Sequence, residues 1–472
     1  MLKQILFLLI ISLQLLAQSP LKINGADHQI IFWAYNHQFE QAEKLVEEKI
    51  AENPDVPKYY FFKVVTQSLK HLSDSDQFNF ETRFDYRKKK NEELIVYLEN
   101  VLEKVEDVEL TPINKFYLAN LHGYLGRMYG LAGSFTSAFG SAKIGKDYLE
   151  ELIEEYPELY DAYLLLGTFE YYADRLGGLT EFFAAILGFS GDRTRGLEYL
   201  KIAQLKGEFT KPFAEFILGE MYYTQEDNPF DAYGYFDLLV KKYPLNKDFY
   251  DWEVRILLQL DRLEEAKHLI EKDNKNFVTG YSKSTFWFMN GEYERASSLL
   301  SELIEKKEFK WGGAYRHSKL MLAEAALLKG EPIENLKDEL EEEQLVIYNE
   351  LKNNTEAAKI IYEFASSVGR LGIGKVMEIP QIDNLQANSY LEAKYNFYKG
   401  VYYFKYRDGT NAVKSFARVA KAERYFNKES VEYLIHIYKS YKPTEQQLDE
   451  LEDIIDDIDD EDLEFSFMDL RK

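Results

Sequence analysis

The chain has 472 residues, no cysteine, and 57 Lys and Arg against 81 Asp and Glu, for a formal net charge of −24. Without cysteine it can form neither disulfides nor the cysteine-linked lipid anchor of bacterial lipoproteins, so it has to hold itself together by core burial, which a chain this long can supply. A charge of this sign repels phosphate backbones and excludes nucleic acid as the expected partner.

The N-terminus, "MLKQILFLLIISLQLLAQSP", places Lys3 before an apolar run from Ile5 to Leu16, followed by Ala17 and Gln18. This predicts a signal peptide over 1–17 and a periplasmic or secreted protein of a Gram-negative bacterium. The run falls short of the roughly 20 residues a spanning helix needs, so no stable membrane span is expected after cleavage. Leu15 is a poor residue for the cleavage site, which makes a retained anchor the alternative.

Beyond it, glycine and proline are sparse and apolar residues return every three or four positions, which predicts an all-α chain. A helical hairpin opens at "HQFEQAEKLVEEKIAENP", with Phe39, Ala42 and Pro54. An irregular loop over 71–80 and a charged helix from Arg87 to Val105 follow, then a second hairpin ending at Pro157. Gly167, with Tyr171 and Tyr172 after it, heads another, whose returning helix carries Leu197, Leu200 and Ala203. Between these two helices lies an insertion at about 173–195, in which Leu179, Phe182, Phe183, Ile186 and Leu187 form an apolar stripe. Leu218, Gly219, Tyr222, Ala232, Phe236 and Pro244 repeat the hairpin, with weaker copies around Ala266 and Ala296. The pattern is poor between Gly330 and Ile379, returns at Gly400, Tyr403, Ala412 and Phe416, and gives way to a tail with twelve carboxylates from Glu445 to Glu464. Physically, small residues let two antiparallel helices approach, aromatic rings fill the gap between them, and proline ends the second helix.

These motifs resemble the tetratricopeptide repeat, over about three-quarters of the mature chain but without the tryptophan that heads the repeat. The resemblance implies a right-handed superhelical solenoid over 18–371 and further hairpins over 385–442, while Gly372, Gly374 and Pro380 mark 372–384 as a hinge candidate and the run of carboxylates marks an acidic tail over 443–472. It also implies a concave face that binds a protein or peptide, with Tyr171, Tyr172, Tyr222, Tyr223, Phe286, Phe288 and Tyr402 as the partner-binding residues. The stretch from Ala162 to Tyr223, with "GDRTRG" and "LKGEF", is similar to exported bacterial tetratricopeptide proteins of uncharacterised activity.

Two stretches come near enzyme motifs. "GSAKIGKD", Gly140 to Asp147, has the G-x4-G-K skeleton of a phosphate loop, but Asp147 stands where a hydroxyl has to ligate magnesium. "GFSGD", Gly188 to Asp192, begins like a nucleophile elbow but ends in aspartate. The seven histidines form no H-E-x-x-H, and paired carboxylates in so acidic a chain carry no specificity. "DDIDDED" offers oxygens for calcium but lacks the glycine that turns an EF-hand loop, so the tail is expected to be a solvated helix end running into disorder. The expectation is therefore a non-catalytic exported scaffold or adaptor with no cofactor and no metal, binding a basic protein or peptide; the alternative is a helical glycan- or nutrient-binding protein at the cell surface. The sequence does not indicate an oligomeric state.

Overall fold

The computed structural model describes residues 21, 23–175, 191–331, 334–382, 385–422, 424–441 and 443–471. The expected signal peptide and the apolar stripe of the insertion lie outside the described residues. Among the described residues there are twenty-two α-helices and no strand, so the all-α expectation holds. The chain divides into two compact units, one comprising the residues up to Leu218 with Leu239–Asn246, the other Gly219–Leu238 with Lys247 onward.

The first unit contains α1 (Gly25–Tyr35), α2 (Phe39–Glu52), α3 (Pro57–Asp74), α4 (Arg83–Lys104), α5 (Pro112–Leu131), α6 (Phe135–Glu155), α7 (Ala162–Asp174), α8 (Arg193–Lys206) and most of α9 (Lys211–Thr224). Each odd-numbered helix from α1 to α7 packs on the even-numbered helix after it, and α1, α3, α5 and α7 also touch in succession. Small residues make the pairs possible. In the α5–α6 pair, a Cβ at Gly145 would stand 2.7 Å from the Ala119 carbonyl oxygen, and one at Gly126 would stand 2.9 Å from that of Ala138. The skeleton that resembled a phosphate loop is thus the middle of α6, pressed backbone to backbone against α5. Asp192 caps α8 by accepting from Arg195 N at 2.8 Å. Asp161, at the start of α7, accepts the backbone N–H groups of Glu208, Phe209 and Thr210 and the Thr210 hydroxyl, which fixes the α8–α9 turn.

The second unit contains the end of α9, most of α10 (Pro229–Lys242), α11 (Lys247–Gln259), α12 (Leu263–Lys272), α13 (Gly280–Met289), α14 (Tyr293–Lys306), α15 (Gly312–Lys329), α16 (Glu342–Asn353), α17 (Thr355–Arg370), α18 (Tyr390–Tyr406), α19 (Gly409–Ala420), α20 (Asn427–Ser440), α21 (Glu445–Ile458) and α22 (Glu461–Arg471). Here α11, α13 and α15 touch in succession, each paired with the helix after it, and α17 then packs across α12, α13 and α15 as well as on α18. The hairpin motif residues fall where the spacing places them: Ala42, Ala232, Ala266, Ala296 and Ala412 are all 0 % exposed. The stretch expected to be a hinge lies within this unit and is tied to α18, through Gly374 N to the Lys405 carbonyl at 2.7 Å and Tyr395 OH to that of Pro380 at 2.6 Å.

The tail corrects the expectation of disorder. It forms α21 and α22, and Leu448, Leu451, Ile454, Ile455, Leu463 and Phe467 enter the same core as Phe397, Val401 and Phe416. The carboxylates occupy the outer faces of two amphipathic helices, and Arg471 gathers Glu445, Asp449 and Glu452 at 2.6–3.0 Å. No helix among the described residues is long and apolar enough to cross a membrane.

Candidate functional site

Four helices of the second unit contribute to a polar recess. On α11, a single cation interrupts the apolar run "VRILL". This is Arg255, whose guanidinium lies 5.3 Å from the ring centre of Trp252, 5.7 Å from that of Tyr223 and 4.6 Å from that of Trp311. Its Nη1 is enclosed with no hydrogen-bond acceptor. Asp251, one turn earlier on the same helix, is spent elsewhere: it caps α13 by accepting from Thr279 N at 2.8 Å.

Next to Arg255 on α13, the Tyr281 hydroxyl meets His317 Nδ1 of α15 at 3.0 Å. His317 is exposed to solvent, yet desolvation by surrounding protein, and secondarily Lys394, lowers its pKa, which favours the neutral imidazole. A side chain both solvent-accessible and desolvated sits in a concavity. Trp311, 40 % exposed, belongs to the same open wall.

Farther along, Lys394 of α18 is 4.3 Å from the Tyr362 ring and within 5.6 Å of Tyr390, Tyr398 and Phe426. Burial lowers its pKa, with Glu324 and Asp261 pulling the other way. Glu324, alone in the apolar run "MLAEAALL", accepts from Tyr362 OH at 2.9 Å, and its pKa is raised by burial.

A separate pocket of the second unit is acidic. The Glu432 carboxyl is held well above the usual range, first by burial and then by repulsion from Glu429, Asp227 and Asp460. Glu432 and Asp227 line a shallow pocket with Phe230, His436, Leu463 and Ser466. Carboxylate oxygens of Asp227, Asp460 and Asp462 lie within 4.8 Å of one another and are the residues that could hold a cation. The Lys428 ammonium, ion-paired to Asp460, already supplies positive charge there.

Of the seven aromatics expected to bind a partner, Tyr223 belongs to this recess, edge-on to Trp252 at 5.2 Å. Tyr171, Tyr222, Phe286 and Tyr402 are core side chains with at most 8 % exposure. Tyr222 stacks on Tyr235 and Tyr402 on Tyr406, while Phe288 is half-buried with Tyr362 edge-on at 5.9 Å. Tyr172 is 44 % exposed, in the first unit. An aromatic at the hairpin spacing fills the gap between paired helices, which is why most of these turn inward. Arg255, His317 and Lys394 were missed by motif reading; the available signal was a lone charge within an apolar helical run.

No family model matches this chain, and no curated protein does.

Proposed function

We propose that the chain is a non-catalytic, exported scaffold of tetratricopeptide type whose second unit binds a protein segment along this recess. The observation that carries the reading is the Arg255 site, where a guanidinium with an unsatisfied nitrogen lies among Tyr223, Trp252 and Trp311, beside a solvent-open Tyr281–His317 pair. Hydrogen-bonding groups framed by aromatic side chains suit a peptide backbone and its side chains. The succession of contacts α11–α13–α15 agrees with a solenoid whose first helices line one face.

A sugar platform is less well supported, because the ring faces are taken by the protein itself: Trp252 stacks on Phe236 at 5.2 Å and 5°, and lies against Arg255. The net charge of −24 favours a segment that also carries basic residues and speeds its encounter at low salt. Selection of a random peptide display library on the mature chain tests the reading. The expected result is enrichment of Lys- or Arg-bearing peptides whose affinity falls as salt rises. Failure to enrich any peptide, with salt-insensitive binding to a glycan panel, would overturn it.

A further inference from the structure

We propose that the turn at 372–376, together with the ends of α18 and α20 beside it, is a docking surface for a phospholipid bilayer with anionic headgroups, an inference independent of what the recess binds.

The segment that leaves α17 holds itself to the fold with one set of side chains and presents another. Leu371, Met377 and Ile379 pack against the core that contains Phe397, Val401 and Phe416, whereas Ile373 and Val376 are 69 % and 70 % exposed. Lys375 N donates to the Gly372 carbonyl at 3.2 Å, and Gly374, at φ 74, completes a tight turn with Ile373 at its apex. The bond from Gly374 N to the Lys405 carbonyl sets this turn beside Tyr406, which is exposed. Past the α18–α19 turn, a Cβ at Gly409 would stand 3.2 Å from the ring of Tyr441, also exposed. Large apolar side chains gathered in one exposed place mark an interaction surface.

The surroundings identify the occupant. Arg370, Lys375 and Arg407 are exposed, and among the described residues none of them forms an ion pair, in a chain with 81 acidic residues. Lys439 and Lys442 flank Tyr441 in sequence, the former 3.9 Å from Asp231. Against these cations the same stretches hold Glu378 and Asp408, and Asp408 spends its oxygens on Asn411. The net charge of −24 repels an anionic bilayer from afar, but at physiological salt charges act over about 8 Å, so the cations nearest the lipid decide. Shape agrees with a fluid partner. The apex is bare, with nothing within 4 Å of a Cβ at Gly374, and presents a convex tip to the partner. Aliphatic side chains at such a tip enter below the headgroups, tyrosine rings lie level with them, and Lys and Arg reach the phosphates. Docking of this kind is peripheral and reversible.

The test is co-sedimentation of the mature chain with vesicles of phosphatidylcholine and phosphatidylglycerol in equal parts, and with vesicles of phosphatidylcholine alone. Wild type is expected to partition onto the mixed vesicles and several-fold less onto phosphatidylcholine. Ile373→Ser combined with Val376→Ser changes exposed positions, so the melting temperature should hold while partition falls about tenfold or more. Lys375→Glu should lower partition onto the mixed vesicles by about fivefold or more and leave that onto phosphatidylcholine unchanged. Absence of wild-type binding to the mixed vesicles would overturn the proposal, and so would equal binding of the double-serine variant. Sedimentation velocity reads the competing occupant: a wild-type dimer that the double-serine variant loses, with no binding to vesicles, would give this face to a second copy of the chain and overturn bilayer docking.

Discussion

The ammonium of Lys405 on α18 donates to the carbonyl oxygen of Asp261, 144 residues earlier in the chain, at 2.6 Å. The same nitrogen reaches the carbonyls of Val368 and Gly369 at 2.8 and 3.0 Å, so one side chain satisfies the end of α17 and the α11–α12 turn together. Replacing it with Met keeps the stem and strands three buried acceptors. Lys405→Met is expected to cost about 3 kcal/mol, read as a lower urea midpoint with an unchanged slope.

Asp261, in the left-handed region at φ 53, also accepts from Tyr398 OH at 3.0 Å. Burial raises its carboxyl from 3.8 to about 6, against the opposing pull of Lys405 and the Tyr398 bond. Between those values the folded chain keeps a proton that the unfolded chain has released. Stability from this group is therefore full below pH 4 and is lost as pH rises through about 6, by about 2–3 kcal/mol. Asparagine tolerates the same backbone and can accept the same bond. Asp261→Asn should remove this share of the decline, seen by comparing urea midpoints of the two proteins at pH 4, 5 and 6. Burial lowers Lys405 to about 8, with the opposite sign: its contribution is lost as pH falls through 8.

Glycines on the helices divide by what surrounds them. A Cβ at Gly400 would stand 2.6 Å from the Phe416 ring, which is fully buried and stacked on Tyr433 at 4.6 Å. At Gly167 it would meet the Gly196 carbonyl at 2.8 Å. Gly400→Ala and Gly167→Ala are each expected to destabilise by about 1–3 kcal/mol. Around Gly140 on α6 and Gly234 on α10 there is nothing within 4 Å, so alanine there should stabilise by up to about 1 kcal/mol through helix propensity. Thermal melts of the four variants should move in opposite directions, two down and two up.

The acidic C-terminus should behave as core. Ile455 is 1 % exposed, and Asp457, two residues on, is exposed. Ile455→Asp is expected to cost about 3–5 kcal/mol by forcing a charge into an apolar site, whereas Asp457→Ala should stay within about 0.5 kcal/mol. Equal melting temperatures for Ile455→Asp and wild type would show that α21 contributes nothing to the fold.

Local information was legible. The three-to-four residue return of apolar side chains determined that the chain is helical, and the Gly and Ala of the hairpin pattern marked where helices would press together. Pro54, Pro157 and Pro244 each fall just past the end of a helix, because proline cannot continue one. The same spacing misdirected the choice of site. Tyr222 recurs at a hairpin position because it fills the gap, so the regularity that made it visible also buried it, and Phe286 and Tyr402, expected on the inner wall, are core as well.

The tail was misread for a related reason: its carboxylate count hid the helical spacing of Leu448, Leu451 and Ile455. Only the tertiary structure could decide the recess. Arg255, His317 and Lys394 come from three helices with no common motif, and each sits within its own run of helix formers without announcing a neighbour. Helical periodicity is a property of about a dozen consecutive residues, whereas the surroundings of a lone charge depend on which distant helices pack around it. The chain's own sequence thus determined the helices and their pairwise seams, and the packing of those pairs decided which charges were enclosed among aromatic rings.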